Sequence, residues 1–410
     1  MNLTLGILKT TSDFSKINDV LEGIQDNLEY FNQIIYTGNK EDLENAEFDF
    51  VALGLDTDNK AVLRNNIIDN AENELILWID NATVLEFDMI PEMMEVLESN
   101  PDVDIVYTNI VYRDIEGNES IRKLEDVYGK EKNLLMALKI EDYIPEFGVI
   151  TKKDSLERLG KFDESFKDYE FYKFIYENLN NLKLKLSEFN YVVKYLLETF
   201  IDTSYRSKAL RDALKKYPLQ EFFPKLGWGK NENLALATAY TSVGDVLSDY
   251  YDLYNASEFY RKAALSFHNK ITLSKLVQTY FNMGLFDEAK KLVSEEQGFS
   301  QEEVKNLQEN IGQIQRLIEM VEQSIDEGNV QEIFNLVNEI ASVYQGAPLY
   351  NILGVLEYYA NNLEKAYQFF YKAATLNPLN EDIIHNLTGL ANQLGKQEDV
   401  KGLFERLLGW

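Results

Sequence analysis

The hydrophobic pattern of this chain changes period once, and that change limits what it can fold into. Up to about residue 190, short apolar runs alternate with helically spaced stretches. From about residue 233 the strand-like runs stop and helical spacing continues to the end. Leu3–Leu8, Phe48–Leu55, Leu75–Ile79 and Ile105–Tyr112 read as strands, and Gln33–Tyr36 as a strand stopped by Thr37-Gly38-Asn39. Ile17, Val20, Leu21, Ile24 and Leu28 share one helical face, and Leu63–Ala71 reads as a second helix. Strands alternating with helices predict a layered α/β domain over residues 1–195. A helical connector carrying Pro218 and Pro224 is expected over 196–232, and an all-α domain over 233–410.

The all-α half repeats itself. Its clearest copy, Ala347–Pro378, carries Leu353-Gly354, then Ala366, Phe370, Ala373 and Pro378. This order resembles the tetratricopeptide (TPR) pattern, in which small residues let two helices cross closely and a large one fills the space beside them. Residues at related offsets form further copies: Gly244, Ala256, Tyr260 and Ala263; Leu276, Tyr280, Gly284, Ala289 and Val293; Leu387, Val400, Phe404 and Leu407. The stretch 301–344 reads as two longer helices, a degenerate pair. A superhelix of four to five TPR-like repeats is expected, and the resemblance implies docking of a protein or peptide.

Composition removes several functions. A formal net charge of −29 opposes binding to a phosphate backbone, so no nucleic-acid partner is expected. The chain has no cysteine, which excludes thiolate chemistry and Cys-zinc sites. Its two histidines, His268 and His385, both lie in the helical half, so the first half holds neither a Ser-His-Asp triad nor a multi-histidine metal site. No apolar run approaches the ~18 residues of a spanning helix. The start MNLTLGILKTTSD lacks the basic region of a signal peptide. A cytoplasmic protein is expected.

Two segments carry chemistry. In Phe147–Tyr172 a strand-like segment, a short amphipathic helix and a turn at Gly160 lead into Phe162-Asp163-Glu164-Ser165-Phe166, with Asp168 just beyond. In Leu63–Thr83, Arg64-Asn65, Ala71 and Glu74 precede the strand Leu75–Ile79, and Asp80-Asn81-Ala82 follows it. Together these resemble the core of family 2 glycosyltransferases of the GT-A (Rossmann-like) fold. There "G-x-FDE-x-F" precedes an "ED" pair, and "RN" precedes a strand ending in "D-x-D".

The resemblance implies an inverting transfer from a nucleotide-sugar, a UDP-sugar being favoured. Asp168 would be the general base. Thr10, Tyr36, Asp56, Arg64, Asp80 and Asn81 would contact the donor, and Asp80 would hold a divalent metal, Mn²⁺ or Mg²⁺. The helix beginning near Tyr169 and the neighbouring Lys167 are expected to keep Asp168 ionised. The chain departs from the pattern at three places: Ala82 stands for the second aspartate, Tyr36 for the base-reading acid, and Lys167 for the glutamate before Asp168. A GT-A domain joined to TPR-like helices resembles bacterial enzymes that glycosylate flagellins or peptides, which implies a protein acceptor. The departures are also what a decayed GT-A pseudo-enzyme serving as a TPR scaffold would show.

Overall fold

A computed structural model describes residues 2–197, 201–295, 298–328 and 333–409. Residues 198–200 of the expected connector and 329–332 of the expected degenerate pair lie outside the described residues. The chain divides into two compact units, Met1–Tyr205 with Ala209–Pro224, and Arg206–Lys208 with Lys225–Trp410.

The first unit is built on a nine-stranded mixed sheet. Its strands are β1 (Leu3–Leu8), β2 (Phe31–Tyr36), β3 (Val51–Ala52), β4 (Leu75–Asp80), β5 (Thr83–Leu85), β6 (Ile105–Arg113), β7 (Glu119–Arg122), β8 (Val149–Lys152) and β9 (Leu184–Tyr195). They lie in the order β3-β2-β1-β4-β8-β6-β9-β5, with β7 pairing to β6. β3, β2, β1 and β4 run parallel. β8 is antiparallel to both its neighbours, β9 is parallel to β6, and β5 is antiparallel to β9.

Every residue of β1 and β4 is buried, as expected of parallel strands covered on both faces. Successive side chains point to opposite faces. Leu75, Leu77 and Ile79 join a core with residues of α1 (Ile17–Asp26) and α3 (Met89–Ser99). Trp78, on the other face, meets Phe162 edge-on at 6.2 Å. That face also carries α2 (Lys60–Asn70), whose Ile67 lies beside Gly6 and Trp78. After the single-turn α4 (Leu134–Ala137) come α5 (Lys153–Arg158) and α6 (Glu170–Asn178). Phe174 of α6 packs on Phe162 at 5.2 Å. The run expected over Phe48–Leu55 contributes only Val51–Ala52 to the sheet, because it forms the edge, paired to β2 alone, with Val51 half exposed. The unit ends in α7 (Ser204–Lys216), whose Arg206–Lys208 turn belongs to the second unit, and α8 (Leu219–Phe222).

The second unit contains no strand among its described residues. Among the described residues, five helical hairpins follow one another: α9 (Glu232–Asp249) with α10 (Leu253–Ser266), α11 (Lys270–Met283) with α12 (Phe286–Glu295), α13 (Gln301–Asp326) with α14 (Phe334–Val343), α15 (Ala347–Tyr359) with α16 (Leu363–Leu376), and α17 (Glu381–Leu394) with α18 (Gln397–Leu408). The pair expected over 301–344 is uneven, a 26-residue helix and a 10-residue one. Asn269, Ser300 and Asn380 cap α11, α13 and α17 through side-chain oxygens. No helix among the described residues is long and apolar enough to cross a membrane.

The succession of hairpins also closes on itself. The Asn255 side-chain amide of α10 donates to the Leu407 carbonyl of α18 at 2.9 Å. Leu253 shares a core with Phe370, Leu403 and Leu407.

Gly354 sits where α15 crosses α16: a Cβ there would stand 2.5 Å from the Phe370 ring. Gly244 meets Tyr260 in the same way between α9 and α10. Gly354→Val is expected to cost about 1–3 kcal/mol through overpacking. A thermal melt followed by circular dichroism checks this. Combined with Phe370→Ala, its cost is expected to be clearly less than additive.

Candidate active site

The two sequence segments meet through one helix. Asn65 of α2 reads the backbone of the Phe162 turn twice: its Oδ1 accepts the Phe162 N–H at 3.0 Å, and its Nδ2 donates to the Phe162 carbonyl at 2.9 Å. The same amide donates to Glu164 Oε1 at 3.0 Å. Asn59, which caps α2, donates to the Glu164 carbonyl at 2.8 Å, and the Lys60 N–H donates to the Lys167 carbonyl at 2.8 Å. Asp163 folds the turn by accepting from Ser165 N and Oγ at 3.0 and 2.7 Å. The start of α2 therefore holds the loop that carries Asp168.

Arg64, expected among the donor contacts, is fully buried instead. Its Nε donates to Glu170 Oε1 at 2.6 Å, and its Nη2 to the Glu146 carbonyl at 3.1 Å. The rings of Trp78, Phe147, Phe162 and Phe171 surround the guanidinium at 5.0–5.5 Å. A planar, weakly hydrated cation suits such a box better than an ammonium. Burial pushes the Glu170 carboxyl up, against the pull of Arg64 and Lys60. Arg64 thus fixes the start of α6, two residues after Asp168, and touches no solvent.

Asp168 keeps its side chain 37% exposed. Its Oδ1 accepts the Tyr169 N–H at 2.8 Å and pairs with Lys60 Nζ at 2.8 Å. Tyr169 is held at φ 66°, a left-handed conformation uncommon for a tyrosine. Lys167 Nζ lies 3.8 Å from Asp58 Oδ1. Lys60, which sequence reasoning did not single out, also pairs with Glu146 at 3.2 Å. Burial alone would lower the Lys60 pKa, but Asp168, Glu146 and Glu170 together hold it above its ordinary value.

A second cluster forms where β1 and β4 end side by side, Leu8 opposite Asp80. Here Thr10, Asp80 and Asn81 come together. Asn81 Oδ1 accepts the Thr10 N–H at 3.0 Å, and Asn81 Nδ2 donates to the Thr11 carbonyl at 3.0 Å. Asp80 Oδ2 accepts from Thr10 Oγ1 at 2.8 Å and from the Lys194 ammonium. Asp80 Oδ1 accepts from Thr83 Oγ1 at 2.5 Å and from the Ala82 N–H at 3.1 Å. Burial would raise the Asp80 pKa, but the Lys194 charge and the hydrogen bonds of Lys194, Thr83 and Thr10 carry it below the usual carboxylate range.

Phe147 is common to both clusters. Lys194 Nζ lies 4.9 Å from its ring centroid and Lys60 Nζ 6.0 Å. Its position follows from Gly148, at φ 69°, whose N–H donates to the Trp78 carbonyl at 2.8 Å and where a Cβ would run into Val192 at 2.6 Å.

Tyr36 and Asp56 stand apart from these clusters. Tyr36 is fully buried, its hydroxyl donating to Asp42 at 3.0 Å, so its ring offers no face on which a base could stack. Burial, with Asp42 adding to it, pushes its pKa far up. Asp42 also accepts from Lys9 at 2.9 Å. Asp56 is exposed on the loop after β3. Sequence reasoning missed Lys60, Glu146, Phe147 and Lys194. Only the position of Lys60 at the start of a helix could have been read in advance.

The first unit is thus a mixed α/β sheet with a buried strand-end carboxylate and, around one shared aromatic ring, a solvent-facing one. No family model matches the chain, and no curated protein matches it. Among solved structures, the chain is similar to residues 1–349 of S. aureus TarS, with a TM-score of 0.44 and 12% identity over 76% of this chain and 92% of that one. The same fragment in complex with UDP gives 0.43 and 11% over the same shares. A longer S. aureus TarS chain gives 0.40 and 13%, over 65% of this chain and 54% of that one.

Proposed function

We propose that the first unit is a GT-A glycosyltransferase that moves a sugar from a nucleotide-sugar, a UDP-sugar in the favoured case, to an acceptor docked by the TPR-like helices. One observation carries this reading: Asp168 is a partly exposed carboxylate fixed in place by buried residues of both resemblance motifs. Arg64 and Asn65 spend their side chains on the backbone and helix that hold it. A carboxylate so held suits a general base, which must meet its proton at hydrogen-bond distance. It takes the acceptor proton as the acceptor attacks the anomeric carbon, and the nucleoside diphosphate leaves with inversion. Thr10, Asp80 and Asn81, at strand ends where α/β sheets bind ligands, form the floor beneath the donor. Asp56 remains proposed as a rim contact. Arg64 and Tyr36 act from within, as supports.

The acceptor is proposed to be a protein or peptide, in the manner of flagellin glycosylation. A polar cleft of about 400 Å³ between α9, α10 and α11, lined by Asp245, Asp249, Lys275 and Asn282 among others, supports a polar docking segment. A second reading, a decayed GT-A domain serving as a scaffold, is favoured by Ala82 and by the burial of Tyr36.

A thermal-shift panel of UDP-, GDP- and dTDP-sugars, each with and without Mn²⁺, separates the two. One sugar nucleotide is expected to raise the melting temperature. No shift with any of them, on a protein that melts cooperatively, would sink the transferase reading.

A further inference from the structure

We infer that Lys194 takes the place of a metal ion: its ammonium neutralises the diphosphate of the departing nucleotide, and the site works without a divalent cation. This inference rests on the transferase reading above.

The donor set does not fit a metal. A carboxylate offers about four lone-pair sites. Those of Asp80 are met by Thr83 Oγ1, the Ala82 N–H, Thr10 Oγ1 and Lys194 Nζ. The second carboxylate of the family pattern is Ala82, buried and without a side-chain oxygen. Among the described residues, no three acidic or histidine side chains converge where they could hold a metal ion. Magnesium demands near-ideal octahedral geometry, and a cation approaching Asp80 would first meet the Lys194 charge.

Lys194 has the features the role requires. It enters from β9, opposite Thr83 of β5, so the sheet register brings it to Asp80. Asp80 is 2% exposed, whereas the Lys194 side chain is 24% exposed, so the pair lies at the edge of the buried core. An ammonium has three donors and no acceptor. One is directed to Asp80, and the face of Phe147 flanks the group at 4.9 Å. The remaining donors suit phosphate oxygens, which charge-assisted hydrogen bonds hold well. As the sugar–oxygen bond breaks, negative charge grows on the β-phosphate, and a fixed cation there stabilises it.

The test is calorimetric titration of the full chain with UDP, GDP and dTDP, each against its monophosphate, once in EDTA and once in Mn²⁺. One diphosphate is expected to bind equally in both, and more tightly than its monophosphate. Lys194→Met alone would leave Asp80 buried without its cation, so the paired variant Asp80→Asn with Lys194→Met is used beside it. That variant is expected to lose about tenfold or more of the preference for diphosphate, whereas Lys194→Arg keeps it. Diphosphate binding that requires Mn²⁺ overturns the inference and leaves the transferase reading standing. Metal-free binding with an unchanged preference in the paired variant also overturns it. Binding of no diphosphate under either condition removes both. The comparison of EDTA with Mn²⁺ needs no variant.

Discussion

Asp168→Asn is expected to slow sugar transfer about 10²–10⁴-fold and to leave the affinity for the nucleotide unchanged. Asparagine fits the same space and can still accept the Tyr169 N–H, but it cannot take up the acceptor proton. Lys60 keeps Glu146 as a partner in the variant, so the ion cluster is reduced rather than emptied. The loss therefore falls on the chemical step, and kcat drops without a matching change in nucleotide binding. Single-turnover transfer measured beside calorimetric binding reads the two effects separately. Full activity in Asp168→Asn would remove this residue from the mechanism. Lost binding together with lost activity would recast it as part of the donor site.

The second large effect is expected at Arg64. Arg64→Met should destabilise the protein by about 3–5 kcal/mol, because it leaves Glu170 buried with an uncompensated charge. The guanidinium also stands between four aromatic rings, so its loss opens a gap that methionine fills only in part. Arg64→Lys should recover little. An ammonium cannot donate in one plane to both Glu170 and the Glu146 carbonyl. Adding Glu170→Gln to Arg64→Met removes the stranded charge and is expected to restore a large share of the loss. Urea unfolding of the full chain, followed by tryptophan emission, measures each step. A cost within about 0.5 kcal/mol, typical of surface substitutions, would contradict the role assigned to this pair.

The parts of the fold legible in the sequence are those where one segment carries its own signal. β1 and β4 read as unbroken apolar runs because they are buried on both faces. Asp80 was legible as a strand end for the same reason. β9 was not read as a strand: its pattern LKLSEFNYVVKY mixes faces, and its pairing with β6 shifts register between Thr108 and Asn109. Missing β9 meant missing Lys194, whose meeting with Asp80 depends on β5 lying beside β9. The Arg64-Asn65 motif was legible as a pattern but not as a support, since its partners lie about a hundred residues away, at Glu146, Phe162 and Glu170. Lys60 was hidden in the same way: it reaches Asp168 from α2, far earlier in the chain.

An open stack of hairpins touches only nearest neighbours, so it can fray from its ends one hairpin at a time. The bond from Asn255 to Leu407 joins residues 152 positions apart and removes that freedom. With α10 and α18 sharing one core, the last described hairpin cannot peel away without uncovering Leu253. The unit is then expected to unfold as a single all-or-none event, with amide protons near Leu407 exchanging as slowly as those in the middle of the unit, which native-state hydrogen exchange measures.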